Sequence, residues 1–263
     1  SKPGYLAAIQ DMEPLNRPKL VLMQHGSLFN QRYLDFKGSD QVILWGNYFK
    51  NYLPNHPHLP KPAIKVIGHP NLNTLLKSAN LCQTNKSTRV PTIVFMAEND
   101  EPASKKRTSQ AREIFVSTIG QVQSYIGIYK SHPSPIGIAN SKALFALGKL
   151  GKCRLDTKSM PAEILPKADL IVGTSSTILL EAMALGIPVI QLLPEEMSSF
   201  WKNINLVNAS TVNELIKLID KLTFDVNYRK SVLEKQNGLV VDLWGNYQHA
   251  PDLIAKEISR NIT

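Results

Sequence analysis

The segment Ala168–Gln191, ADLIVGTSSTILLEAMALGIPVIQ, concentrates residue types that bind an anion. ADLIVG reads as a buried strand, and its last residue, Gly173, permits a tight turn. Thr174, Ser175 and Ser176 then bring hydroxyls and backbone N–H groups to the place where a helix begins. The first amides of a helix have no intrahelical acceptor, and the helix dipole adds partial positive charge, so phosphate binds well there. Glu181 and Ala182 continue the helix, and Leu185-Gly186-Ile187-Pro188 closes it before another buried strand. Serines in this position also cap helices where no ligand binds. The place after a central strand, where open α/β sheets bind their ligands, favours the phosphate reading.

Two histidines share that setting. His132 follows the apolar run SYIGIYKSH, and Pro133 forbids further strand pairing. An imidazole there can donate to a phosphate oxygen; the alternative is a loop histidine with local hydrogen bonds. His25-Gly26 likewise ends the run KLVLMQ, where a base could take a proton from an attacking hydroxyl or merely fix a loop. Glu98-Asn99-Asp100-Glu101 follows the strand TIVFMAE; solvated loop charge is the plain reading, with Glu98 the one expected to line a site. Without a histidine companion the cluster is weak evidence for a metal, and no metal site is expected. Lys105, Lys106, Arg107 and Lys130 can add positive potential around a diphosphate. His69 is read as interdomain packing.

The elements that must position these residues follow from the apolar pattern. Strands are expected at 19–24, 41–46 and 63–68, with a short helix at 47–53. The polar stretch 77–91 reads as a linker. Beyond it strands at 92–98, 124–132, 152–156, 169–173 and 187–192 alternate with helices at 104–121, 136–149, 161–167 and 175–185. Helices at 211–222, 226–236 and 250–260 complete the chain. Such alternation predicts an α/β fold of parallel sheets covered on both faces. The expected division is a small Rossmann-like first domain (1–76), the linker, a second Rossmann-like domain (92–247) and a C-terminal helix (248–263) that crosses back to the first. Three strands are fewer than a Rossmann half normally carries, so the first domain is expected to be small or truncated.

Composition narrows the partners. The chain has 263 residues, 43% hydrophobic and 19% charged, within the range of a folded globular protein. Thirty Lys and Arg against 21 Asp and Glu give a net charge of +9, which favours an anionic partner. No RNA-recognition motif, zinc-ligand set or arginine-rich block accompanies that charge, so nucleic acid is not expected. Cys82 and Cys153 form no CxxC pattern, which fits a reducing compartment. With no apolar run of membrane-spanning length and no secretory signal, a cytoplasmic location is expected, with peripheral contact at the inner face of a membrane.

GTSSTILLEAMALGIPVI resembles the donor-site segment of GT-B glycosyltransferases. Gln24-His25-Gly26 resembles the HG signature of CDP-glycerol glycerophosphotransferases and capsule-type transferases, and Val66-Ile67-Gly68-His69-Pro70 a segment preceding their interdomain linker. Lys130-Ser131-His132-Pro133 resembles the HP signature shared with bacterial polysialyltransferases. The four landmarks are separated along the chain, and the resemblance covers roughly residues 19–207. The resemblance implies a GT-B-like fold of two Rossmann-like domains. It also implies that His132, Pro133, Thr174, Ser175 and Ser176 hold the donor nucleotide and its phosphates, and that His25 is the catalytic base. Gly26, Glu98, Lys130, Glu181 and Glu195 would line the site, Glu195 near the sugar or ribose.

The expected activity is a glycosyl- or glycerophosphate-type transfer from a CMP-, CDP- or UDP-linked donor to a polysaccharide or lipid-linked acceptor in surface-polysaccharide synthesis. No cofactor is required by the residues seen. Two alternatives stay open. One is a non-hydrolysing UDP-sugar 2-epimerase relative, although its catalytic acids have no counterpart in residues 1–76. The other is a non-catalytic nucleotide-binding module.

Overall fold

A computed structural model describes residues 19–24, 39–53, 62–81, 90–98, 105–193 and 199–260. The chain divides into two compact units, residues 1–71 with 241–263, and residues 72–240. His25, Gly26 and Glu195 lie outside the described residues, as do Cys82 and the cluster 99–101.

In the first unit, β1 (Val21–Met23), β2 (Gln41–Leu44) and β3 (Ala63–Val66) form a three-stranded parallel sheet in that order. The predicted short helix is a 3-10 helix over Asn47–Tyr52. The unit is completed by the end of the long helix that reaches Trp244 and by the helix Ala250–Ser259, whose Ala250 and Ile254 pack with Ile43 and Ile67. Three glycines let the two chain segments touch. A Cβ on Gly46 would stand 2.0 Å from the Asp242 carbonyl oxygen. On Gly245, at φ +53°, it would stand 2.4 Å from the Trp45 carbonyl, and on Gly68, at φ +130°, 2.7 Å from Asn246. His69 packs here against Trp45 and Trp244 of its own unit, with ring centroids 4.3 and 5.0 Å away. Burial pulls its pKa down to about 4, so it is a neutral packing residue near pH 7.

The second unit opens with α1 (Leu72–Leu81), a correction to the linker expected from 77. Leu72, Leu75, Leu76 and Ala79 repeat at helical spacing, and Leu72 and Ala79 are buried. The polar residues between them occupy the other face and hide the period. Next come β4 (Thr92–Met96), α2 (Lys105–Gln121), β5 (Ile126–Lys130), α3 (Pro135–Ala146) and β6 (Arg154–Asp156). The turn α4 (Pro161–Ile164), β7 (Leu170–Gly173), α5 (Thr177–Ala184) and β8 (Val189–Leu192) follow. Then α6 (Ser199–Ile204), β9 (Val207–Ala209), α7 (Val212–Phe224) and α8 (Val226–Trp244) lead to α9 (Ala250–Ser259).

All six strands of this unit are parallel, in the order β6-β5-β4-β7-β8-β9. The chain builds outward from β4 to β6, returns beside β4 with β7, and builds outward the other way, so the order reverses between β4 and β7. In such sheets the ligand crevice lies beyond the carboxyl ends of the strands at that reversal. Both faces of the central strands are covered, which is why they read as unbroken apolar runs. On one face Phe95 stacks on Phe115 and Tyr129, among Ile114, Ile119, Leu215 and Ile219. Each such fully buried large apolar side chain contributes roughly 1.5–3 kcal/mol. The short α6 and β9 had no expected counterpart. Phe200 and Trp201 of α6 are nonetheless fully buried.

Candidate functional site

The pairing register sets the level of the site. Met96 of β4 stands opposite Lys130 of β5 on one side and Gly173 of β7 on the other. One and two residues further on come Ala97-Glu98, Ser131-His132 and Thr174-Ser175. His132 and Ser175 thus leave the sheet at the same edge, on either side of Glu98, about two strand spacings or ~10 Å apart. They are far apart in sequence, and parallel pairing to the shared neighbour β4 brings them to one edge.

The turn after β7 is tied down on several sides. A Cβ on Gly173 would come within 2.9 Å of Leu179 Cδ2, so α5 packs closely on the end of the strand. Gln191 of β8 donates to the Thr174 carbonyl at 3.1 Å. Thr174 and Ser175 are buried, and Ser176 is half-buried as the N-cap residue of α5. Its side chain makes no capping hydrogen bond. Gly186, at φ +68°, closes the other end of α5, with its N–H on Met183 O and the Ile187 N–H on Ala182 O.

Glu98 occupies the middle of the site. Its Oε1 accepts from the Ser175 backbone N–H and, at 2.5 Å, from Ser175 Oγ. The Arg107 guanidinium, reaching in from α2, donates to Glu98 Oε2 at 3.1 Å and to Ser175 Oγ at 3.3 Å. With side chains 12% and 18% exposed, the carboxylate and guanidinium form a shielded pair. Ser175 therefore serves an internal carboxylate.

His132 is oriented by the start of α3. Its Nδ1 accepts from the Ser134 backbone N–H at 3.2 Å and lies 3.0 Å from Ser134 Oγ. An accepting Nδ1 places the proton of the neutral ring on Nε2, making that atom a donor. Ser134 also caps α3 by accepting from the Gly137 N–H at 3.0 Å. Gly137 is needed for this fit, since a Cβ would meet His132 Cβ and its carbonyl at 2.9 Å. Pro133 is exposed. Beside His132, the Ser131 hydroxyl is buried and has no hydrogen-bond partner.

The remaining candidates divide. Lys130 is buried, donates from Nζ to the Ser131 carbonyl at 3.2 Å, and has its pKa lowered by burial against the opposing pull of Asp156. Lys105 and Lys106 are exposed on α2. Glu181 sits half-buried on α5, and burial pushes its pKa from 4.5 up to about 7. A carboxyl whose folded pKa is raised adds stability fully present below its unfolded pKa and lost as pH rises through the folded one. Glu181→Gln is therefore expected to flatten stability between pH 5 and 8. Relative to the difference at pH 5, the variant should gain about 2–3 kcal/mol on wild type at pH 8, measured by urea unfolding at each pH.

Sequence reasoning did not single out Ser131, Ser134, Gly137 or Gln191. Ser134 carries a signal, being an N-cap residue directly before Pro135. Arg107 was visible only as one charge in a basic run.

No protein-family profile matches the chain, and no curated protein sequence does. Solved structures do. Anabaena HepE in complex with UDP and glucose superposes with a TM-score of 0.58 at 16% identity, over 92% of this chain and 72% of HepE. The wall teichoic acid polymerase TagF gives 0.56 at 14%, over 94% and 70%. Sucrose-phosphate synthase from Thermosynechococcus elongatus gives 0.54 at 15%, over 98% of this chain and 65% of that one. At these identities the likeness is one of fold: an α/β, GT-B-like chain with two parallel sheets.

Proposed function

We propose that this chain is a glycosyl- or glycerophosphate-type transferase that uses a CMP-, CDP- or UDP-linked donor in surface-polysaccharide synthesis. The observation that carries the reading is the shared level of His132, Glu98 and Ser175 at the strand-order reversal of the six-stranded sheet. In that reading the donor's phosphate lies between His132 Nε2 and the start of α5. The acceptor hydroxyl attacks the activated carbon or phosphorus, the bond to the leaving phosphate breaks, and charge builds on the oxygens these donors face. Fixed donors aimed at developing charge are a large part of catalysis of this type. Glu98 and Arg107 hold the Ser175 turn in shape. The same reading assigns Glu181 and Glu195 to the site lining and gives His25 the role of base toward the hydroxyl of a lipid-linked or polysaccharide acceptor. The fold shared with HepE, whose structure holds UDP and glucose, and with TagF supports a nucleotide-activated donor.

A thermal-shift panel of CMP, CDP, UDP, UMP and GDP tests the proposal. A nucleotide at about a hundred times its Kd adds ~2.7 kcal/mol to the folded state, which is several degrees for a unit of this size. The expected result is a shift for at least one pyrimidine nucleotide, followed by release of that nucleotide from its sugar- or glycerol-linked form. No shift with any of the five would reject the donor site. An epimerised UDP-sugar without nucleotide release would reject transfer.

A further inference from the structure

A solvated helix carries polar residues on its outer half. On α3 that half is apolar. Gly137 and Ser141 are its buried residues, a narrow small-residue seam. Ile136, Ala139, Ala143, Ala146 and Leu147 are all exposed on it, Ile136 by 66% and Leu147 by 69%. Ile136, Ala143 and Leu147, spaced by seven and four residues, form one stripe of that surface. The one charge within this half is cationic, Lys142.

The surroundings have the same sign. Between Ser124 and Leu155 the sequence has no Asp or Glu and five cations, Lys130, Lys142, Lys149, Lys152 and Arg154. All but Lys130 are exposed. Alongside α3, a groove of about 510 Å³ runs against α2. Lys105, Ser109, Arg112 and Asn140 give it cationic and hydrogen-bonding walls, and Leu144 and Leu147 an apolar one. Arg112 is held there by Ser109 Oγ at 2.6 Å, and Glu113, 72% exposed, lies 3.8 Å from it.

We infer that the outer face of α3 is the surface by which this protein docks on an anionic lipid bilayer. Ile136 and Leu147 enter the interface, Lys142 and Lys149 meet lipid phosphates, and the groove beside α2 takes a headgroup. Apolar insertion together with a cluster of cations is the combination that holds a protein on such a surface. A protein partner covering the same apolar stripe would have no need of the surrounding cationic rim.

The test is flotation of the full chain with vesicles of phosphatidylglycerol and phosphatidylcholine, and with phosphatidylcholine alone. The expected result is binding to the anionic vesicles only. The double substitution Ile136→Asp with Leu147→Asp should reduce that binding at least tenfold, and Lys142→Ala with Lys149→Ala should do the same, both with unchanged circular dichroism. Wild type that stays unbound, equal binding to both vesicle types, or variants that float like wild type would overturn the inference. So would self-association in sedimentation that the aspartates abolish while vesicles capture nothing. Nucleotide shifts on the same samples report separately on the donor site, so loss of one leaves the other readable.

Discussion

Replacing His132 with alanine is expected to weaken nucleotide binding by about 10- to 100-fold with little change in the melting temperature of the ligand-free chain. A hydrogen bond to a charged phosphate is worth roughly 1.5–3 kcal/mol, which converts to that range at 1.4 kcal/mol per decade. The folding cost is small because the ring is half-buried and its bonds to the Ser134 N–H and hydroxyl stay within one turn of chain. Loss of the Nδ1 acceptor leaves the Ser134 amide close to solvent, and Ser134 Oγ keeps its bond from Gly137. Isothermal titration with the nucleotide that shifts wild type is the direct measurement. An unchanged Kd would mean that the phosphate is not held at the end of β5.

The second large effect concerns the first unit. Gly46→Ala is expected to cost about 3–5 kcal/mol, enough to undock the C-terminal segment or unfold that unit. Gly46 has φ −143°, a conformation any residue adopts, so space alone demands glycine. Its added methyl would sit 2.0 Å from Asp242 O and 2.5 Å from Leu243 C, which are backbone atoms that no rotamer change can move. Clashes of this kind belong with the largest effects of single substitutions. Gly238→Ala is the control of opposite sign. It is exposed in the interior of α8 with nothing within 4 Å of a new Cβ, and alanine there should stabilise by roughly 0.8 kcal/mol. Chemical denaturation of both variants reads the difference. If Gly46→Ala unfolds at the wild-type midpoint, the close approach of 242–243 to β2's end is not part of the folded unit.

Much of the second unit was legible because a parallel sheet buried on both faces writes itself as short apolar runs between turn residues. TIVFM, IGIYK, LIVG and VIQL each became a strand. Three elements were not. In α1 the apolar residues recur only every third or fourth position among Asn, Thr, Lys and Ser, so composition suggested a linker. β9 has three residues, too few to show a period, and α6 has six.

The sequence by itself determined which residues stand just past strand ends, His132 and Thr174-Ser175-Ser176 among them, because strand and turn signals are local. It could not say which strands are neighbours. Strand order is set by how the covering helices pack and by crossovers that join segments distant in the chain. Only the folded chain placed β7 beside β4, and so put Glu98 on Ser175 with Arg107 across both. The same holds for Gly46 and Gly68, which read as ordinary strand-ending glycines until the segment 242–247 packs within van der Waals reach of them. Ser175–Ser176 was legible as a turn between a strand end and a helix start. That Ser175 serves an internal carboxylate was a decision of tertiary structure.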